Sequence, residues 1–254
     1  MRRLLFSLAF LLWSTPAQAE VIVAVLEFSN ASADPSLAPL GKGLQSMLTT
    51  DLSNVEAIQL VERSRLTEIQ AEISLGESGA IDASTAVRFG QLAGASHLIA
   101  GSFTVVGDRM RLDARMFDVA GGAVLLGEEI TGDTEAFFEL EKELVGRLIG
   151  SLGIKLAAKE RAAVARIHTA DFEAFRDYSA AIDLFDQEIY DEALERLRSA
   201  TEADEDFKLA RVTLAEYERI IGDLRTRRDE LAAARDQIGR LEGDGVAEAF
   251  CNAP

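Results

Sequence analysis

The sequence predicts an α/β (α+β) sandwich with a mixed sheet and an antiparallel meander, followed by an all-α repeat-like region and a long C-terminal helix. Three observations carry this expectation. Val21-Ile22-Val23-Ala24-Val25-Leu26 is an unbroken, β-branched-rich apolar run, the pattern of a strand covered on both faces. Met110, Leu112, Ala114 and Met116 alternate with Arg109, Arg111, Asp113 and Arg115, so one face of that strand is buried and the other wet. Beyond Asp133 strand-like runs cease and the chain turns almost purely helical.

Each element follows from its local pattern. Asn30 to Ser36 form a polar loop after the first strand, and Leu40, Leu44, Met47 and Leu48 set a helix over Leu37 to Leu52. Ala57-Ile58-Gln59-Leu60-Val61 is the second strand. Helices follow at Arg65 to Leu75 and Ala83 to Leu92, the latter with Asp82 as its N-cap, and Gly76 to Ile81 turn between them. His97 to Phe103 starts a third strand, which Gly107-Asp108 returns as a hairpin. Gly121-Gly122 leads into a last strand at Val124-Leu125-Leu126. From Thr134, the residues Phe137, Leu140, Leu144, Leu148 and Leu152 make an amphipathic helix able to cover the sheet.

The second half is read against a tetratricopeptide frame of about 34 residues, in which Ala181, Leu184, Ala193, Leu197 and Ala200 take the packing positions. Glu205 replaces the proline usual at its end. The last helix carries Phe207, Ala210, Leu214, Tyr217, Ile221, Leu224, Leu231 and Ile238 at 3-4 spacing, broken by Arg228 and Arg235. A coiled coil or a packed helical hairpin fits this spacing, and the arginines favour the hairpin or a fraying end. The domain plan is residues 1–19, a signal peptide; 20–160, the α/β domain; 166–242, the helical region; and 243–254, a flexible tail.

The signal peptide rests on Arg2 and Arg3, the apolar stretch Leu4 to Trp13, and Ala17-Gln18-Ala19 before a cut between Ala19 and Glu20. The apolar stretch covers about half of a ~30 Å hydrocarbon core, too short for a spanning helix. Cleavage leaves 24 basic against 43 acidic residues, a formal charge of −19 where the full chain has −17. Such a field repels phosphate backbones and anionic head groups, which argues against nucleic-acid binding and direct membrane insertion. The expectation is a soluble periplasmic protein that meets an envelope protein partner, with an oligomer possible.

Catalytic signatures are missing. No GxxxxGK[ST], no strand-borne GxGxxG and no GxSxG occurs. With His97 and His168 the two histidines and Cys251 the one cysteine, neither a Cys/His zinc cluster nor an internal disulfide can form. The histidines read as packing or surface residues. Glu128 and Glu129 point to opposite faces of a strand and cannot pair as acid and base, while Asp204 to Asp206 read as helix N-terminal charges without a calcium-loop pattern. No enzyme activity, cofactor or metal is expected. The candidate partner-binding stripe is Tyr178, Ile182 and Phe185, at i, i+4 and i+7 on one helix. It faces a ligand groove in a tetratricopeptide frame, or else it is core.

Three stretches carry a resemblance: Val25-Leu26-Glu27-Phe28, then Gln59 to Leu66, then Gly94 to Ser102. In these the chain resembles the CsgG family of curli assembly proteins and the related TolB amino-terminal-like domains. The resemblance to CsgG implies an outer-membrane pore with two long hairpins per subunit and a lipidated cysteine. Here Val105-Val106-Gly107-Asp108 replaces the first hairpin, Thr131-Gly132-Asp133 leaves no room for the second, and Glu20 stands at the lipid position. The channel is therefore not carried over. Asp133 to Leu140 instead looks like TolB-like domains that run on into tetratricopeptide repeats. The implied role is a non-catalytic adaptor of envelope or surface-structure assembly. The alternatives are a regulator of a cell-wall synthesis enzyme, through a similar penicillin-binding-protein activator fold, and a secretion-channel subunit.

Overall fold

The computed structural model describes residues 21–72 and 82–251. The cut at Ala19 and Glu20, Leu75 and the turn from Gly76 to Ile81 lie outside the described residues. One mixed sheet carries strands in the order β3, β1, β4, β5, β6, with the two-residue β2 (Ser29–Asn30) also paired to β4. β1 (Val21–Val25) lies parallel to both β3 (Ile58–Leu60) and β4 (His97–Val106). Consecutive residues of β1 point to opposite faces, yet Val23, Ala24 and Val25 are all buried. Helices therefore cover both sides: α1 (Leu40–Leu52) lies over Val23 and Val25, while α2 (Arg63–Glu72) and α3 (Ala83–Ala93) lie over Ala24 and Leu26. The Asp82 carboxylate caps α3 by accepting from Thr85 N at 2.8 Å.

Beyond β4 the sheet turns antiparallel through β5 (Arg109–Asp118) and β6 (Val124–Asp133). Gly107 makes the first turn with φ of 62° and Gly122 the second with φ of 68°, a region other residues enter at a cost. Met110, Leu112, Ala114 and Met116 are buried as the alternation requires. β6 runs from Val124 through Glu128 and Glu129 to Asp133, so the three residues after Ile130 that were expected to link the strand to the next helix are part of the strand, paired with β5 through backbone hydrogen bonds. Glu128 there ion-pairs with Arg147, while Glu129 lies on the other face, 3.6 Å from Arg111.

α4 (Phe137–Ser151) covers the meander, with Phe137, Leu140, Leu144 and Leu148 buried. A short helix, α5 (Ala158–Val164), follows without having been expected. α6 (Phe172–Asp186) and α7 (Tyr190–Ala203) form an antiparallel pair in which Ala181, Ala193, Leu197 and Ala200 are buried. α6 packs on α1, so the helical pair and the α1/α4 face of the sheet share one core. Gly43 permits that approach: a Cβ there would lie 1.9 Å from Ser179 Oγ and 2.9 Å from the Phe175 ring.

α8 (Lys208–Cys251) is one helix of 44 residues, the long C-terminal helix that was expected, and residues 243–251 belong to it. It packs through Ala210, Tyr217 and Ile221, and from Gly222 to Gln237 its residues are exposed. Two interrupting arginines do not break a helix, since arginine is a good helix former.

Candidate functional site

Both ends of α1 meet the helical region. At its start the Lys42 ammonium lies 2.8 Å from Asp183 and 3.0 Å from Asp186 of α6, and Arg63 of α2 lies 2.9 Å from Asp186. Burial holds the Glu27 carboxyl, beside this network, above its usual range, and Lys42 acts against that rise. Phe185 stacks on Tyr217 of α8 with centroids 3.7 Å apart.

The stripe proposed for partner binding lies in this contact. Tyr178 is fully buried, its hydroxyl 2.6 Å from Ser46 Oγ on α1 and its ring 5.1 Å from that of Phe207. Ile182 is buried and Phe185 half-buried. The core reading thus replaces the open groove: α1 on one side and α8 on the other cover a face that a single repeat cannot bury alone.

At its other end α1 enters a buried ionic cluster. Asp51, fully buried, pairs with Lys142 of α4, and one of its oxygens lies 2.9 Å from His168 Nε2 in the segment between α5 and α6. A carboxylate only accepts, so Nε2–H donates and Nδ1 is left free of this contact. Glu141 is also fully buried. The Lys142 ammonium is 3.1 Å from its Oε2, but outside hydrogen-bonding geometry, so both Glu141 oxygens lack a hydrogen-bond partner. Burial, with the Asp51 carboxylate as second cause, pushes this carboxyl well above its ordinary value. His97 is a half-buried sheet residue, 2.9 Å from Ser96 Oγ, and burial lowers its pKa.

His168 also lines a surface groove of about 450 Å³ with Thr50 and Asn54 at the end of α1, Arg166 and Ile167, and Asp206, Lys208, Leu209 and Val212 at the start of α8. Its rear wall is fixed by Asp51, and Thr169 Oγ1 donates to Asp204 at 2.5 Å, tying the segment to the α7–α8 turn. Thr50 donates its hydroxyl to the Ser46 carbonyl at 2.9 Å and is not presented to His168 as a nucleophile. The arrangement suits binding: a rigid ring at the rear, apolar side chains at the lip and two cations. Among the described residues no three His, Cys, Asp or Glu side chains are placed to hold a metal ion. Nor is any helix there long and apolar enough to cross a membrane.

Sequence reasoning passed over this groove because its partners are far apart in the chain, Asp51 lying 117 residues from His168 and 91 from Lys142. The one available signal was a histidine at a helix junction in a chain with two.

Residues 9–112 match the family model described as "Curli production assembly/transport component CsgG". A curated protein of Rhizobium meliloti (strain 1021), described as "Putative adenylate cyclase 3", is 26% identical over 142 residues, which are 56% of this chain and 22% of that protein. The chain thus spans under a quarter of that relative's length. Among solved structures, the LpoB C-terminal domain from Salmonella enterica aligns at 16% identity and a TM-score of 0.38, covering 47% of this chain and 87% of that one. TolB from Acinetobacter baumannii aligns at 18% identity and a TM-score of 0.39, covering 55% of this chain and 30% of that one. The CsgG match takes in β1, α1, β3 and β4 and leaves the helical region outside it, so the resemblance to CsgG belongs to the α/β half of the chain.

Proposed function

We propose that this protein is a non-catalytic interaction protein of the cell envelope, exported and free in the periplasm, that acts as an adaptor or regulator in envelope or surface-structure assembly. The observation that carries the reading is the CsgG match over residues 9–112. The fold supports an adaptor over a pore subunit: Gly107 and Asp108 alone join β4 to β5, and β6 passes directly into the 3-10 turn Thr134–Ala136. No amphipathic excursion is left at either place to build a barrel wall. The groove at His168 has the shape and lining of a binding surface, and its hydroxyl is committed to the backbone.

The test is site-specific crosslinking in intact cells from a photoreactive side chain at Val212, followed by identification of the adduct. A single envelope protein, recovered in the soluble periplasmic fraction together with this chain, is the expected result. An assembly component as partner makes the protein an adaptor, and a cell-wall synthesis enzyme makes it a regulator. Release of the chain only by detergent, as ring-shaped oligomers, overturns the reading in favour of a channel.

A further inference from the structure

We propose that the groove at His168 receives an acidic peptide segment of a protein partner, with a carboxylate held by Arg166 and Lys208 and an adjoining aliphatic side chain laid on Ile167 and Val212. This rests on the interaction-protein reading and names the ligand chemistry of its site.

The argument begins with charge. In a chain of net charge −17, the groove lining holds Arg166 and Lys208 against one acid, Asp206. Among the described residues neither cation has an ion-pair partner, whereas Lys42, Arg63 and Lys142 are all paired. A local cationic spot on an acidic body attracts a small anionic group, while the body as a whole repels extended anionic surfaces. Beside the cations, Ile167 is 41% exposed and Val212 64% exposed, which supplies the apolar half of the ligand. An anionic bilayer fits poorly, because a recess of about 450 Å³ takes a few side chains rather than a flat surface. The walls are preformed by the Asp51–His168 and Thr169–Asp204 contacts, so little ordering is required on binding.

The test is selection of displayed random heptapeptides on the purified protein, in parallel with the Arg166→Glu/Lys208→Glu double variant. Wild type should enrich peptides with Asp or Glu next to Leu, Ile or Val. The variant should bind the selected peptides about tenfold or more weakly, while its unfolding midpoint stays at that of wild type because both residues lie outside the core. Enrichment of basic peptides, equal binding by the variant, or no enrichment overturns the proposal. So does binding of wild type to phosphatidylglycerol vesicles in place of peptides, or a doubling of mass in solution that the double variant abolishes. If the variant still yields the in-cell Val212 adduct, the groove assignment fails and the adaptor reading stands. If wild type yields none, the adaptor reading itself fails.

Discussion

The two ends of α1 dock the helical region in opposite ways. At the start, Gly43 lets Phe175 and Ser179 come against the helix backbone, Tyr178 is sealed between α1 and α8, and the charges of Lys42 and Arg63 are answered by Asp183 and Asp186. At the far end the contact is made through Asp51, Lys142 and His168, leaves Glu141 without a hydrogen bond, and opens on a groove whose two cations have no ion pair among the described residues. The first end fixes the geometry of the molecule. The second carries buried polar groups that do little for stability, since desolvating charges offsets most of their attraction.

Three substitutions break this contrast in order of size. Tyr178→Ala removes a fully buried ring and its hydrogen bond to Ser46, and should cost about 4 kcal/mol in urea unfolding. A loss below about 1 kcal/mol, with partner capture abolished, restores the stripe as a groove. Gly43→Val forces a side chain into Ser179 and Phe175, and about 3 kcal/mol is expected, with α6 and α7 losing amide protection before the sheet does. Simultaneous loss of protection everywhere would show that the helical pair and the sheet unfold as one unit. His168→Ala removes one partner of Asp51 while Lys142 remains, so about 1–2 kcal/mol is expected, together with weakened peptide binding in the groove. Unchanged peptide binding would separate the cluster from the groove.

What the chain announces and what it hides follow the same division. Strand β1, the β4–β5 hairpin and the cap at Asp82 are legible because their causes lie within a few residues: a β-branched run, a period of two behind Gly107-Asp108, and a carboxylate three residues before its amide. α4 is legible from its stripe, whose cover is the sheet just before it. The last three residues of β6 are not, because an edge strand's pairing is a matter of backbone and Thr131-Gly132-Asp133 reads as a link to the next helix. α6 shows its apolar stripe plainly, but whether Tyr178 is groove or core depends on α8, which begins 30 residues later. The same stripe serves either purpose. The Asp51 cluster is hidden altogether, since no local pattern marks an aspartate on the buried face of a helix as the partner of a histidine 117 residues away.

The smallest effect tests whether the Glu141 carboxyl is the weak member of that cluster. Its pKa is raised on folding, first by burial and then by Asp51, so the folded state holds a proton that the unfolded chain releases near pH 4.5. Where the folded state binds more protons, stability falls as pH rises. The contribution of Glu141 is thus fully present below pH 4.5 and is lost as pH climbs through the raised folded value. Glu141→Gln keeps the shape and cannot ionise. Its unfolding free energy should match wild type in acid and exceed it progressively at higher pH, by an amount smaller than the three losses above. The measurement is a set of urea midpoints across that range. Parallel curves for the two proteins would show that Glu141 is not a group whose proton binding changes on folding.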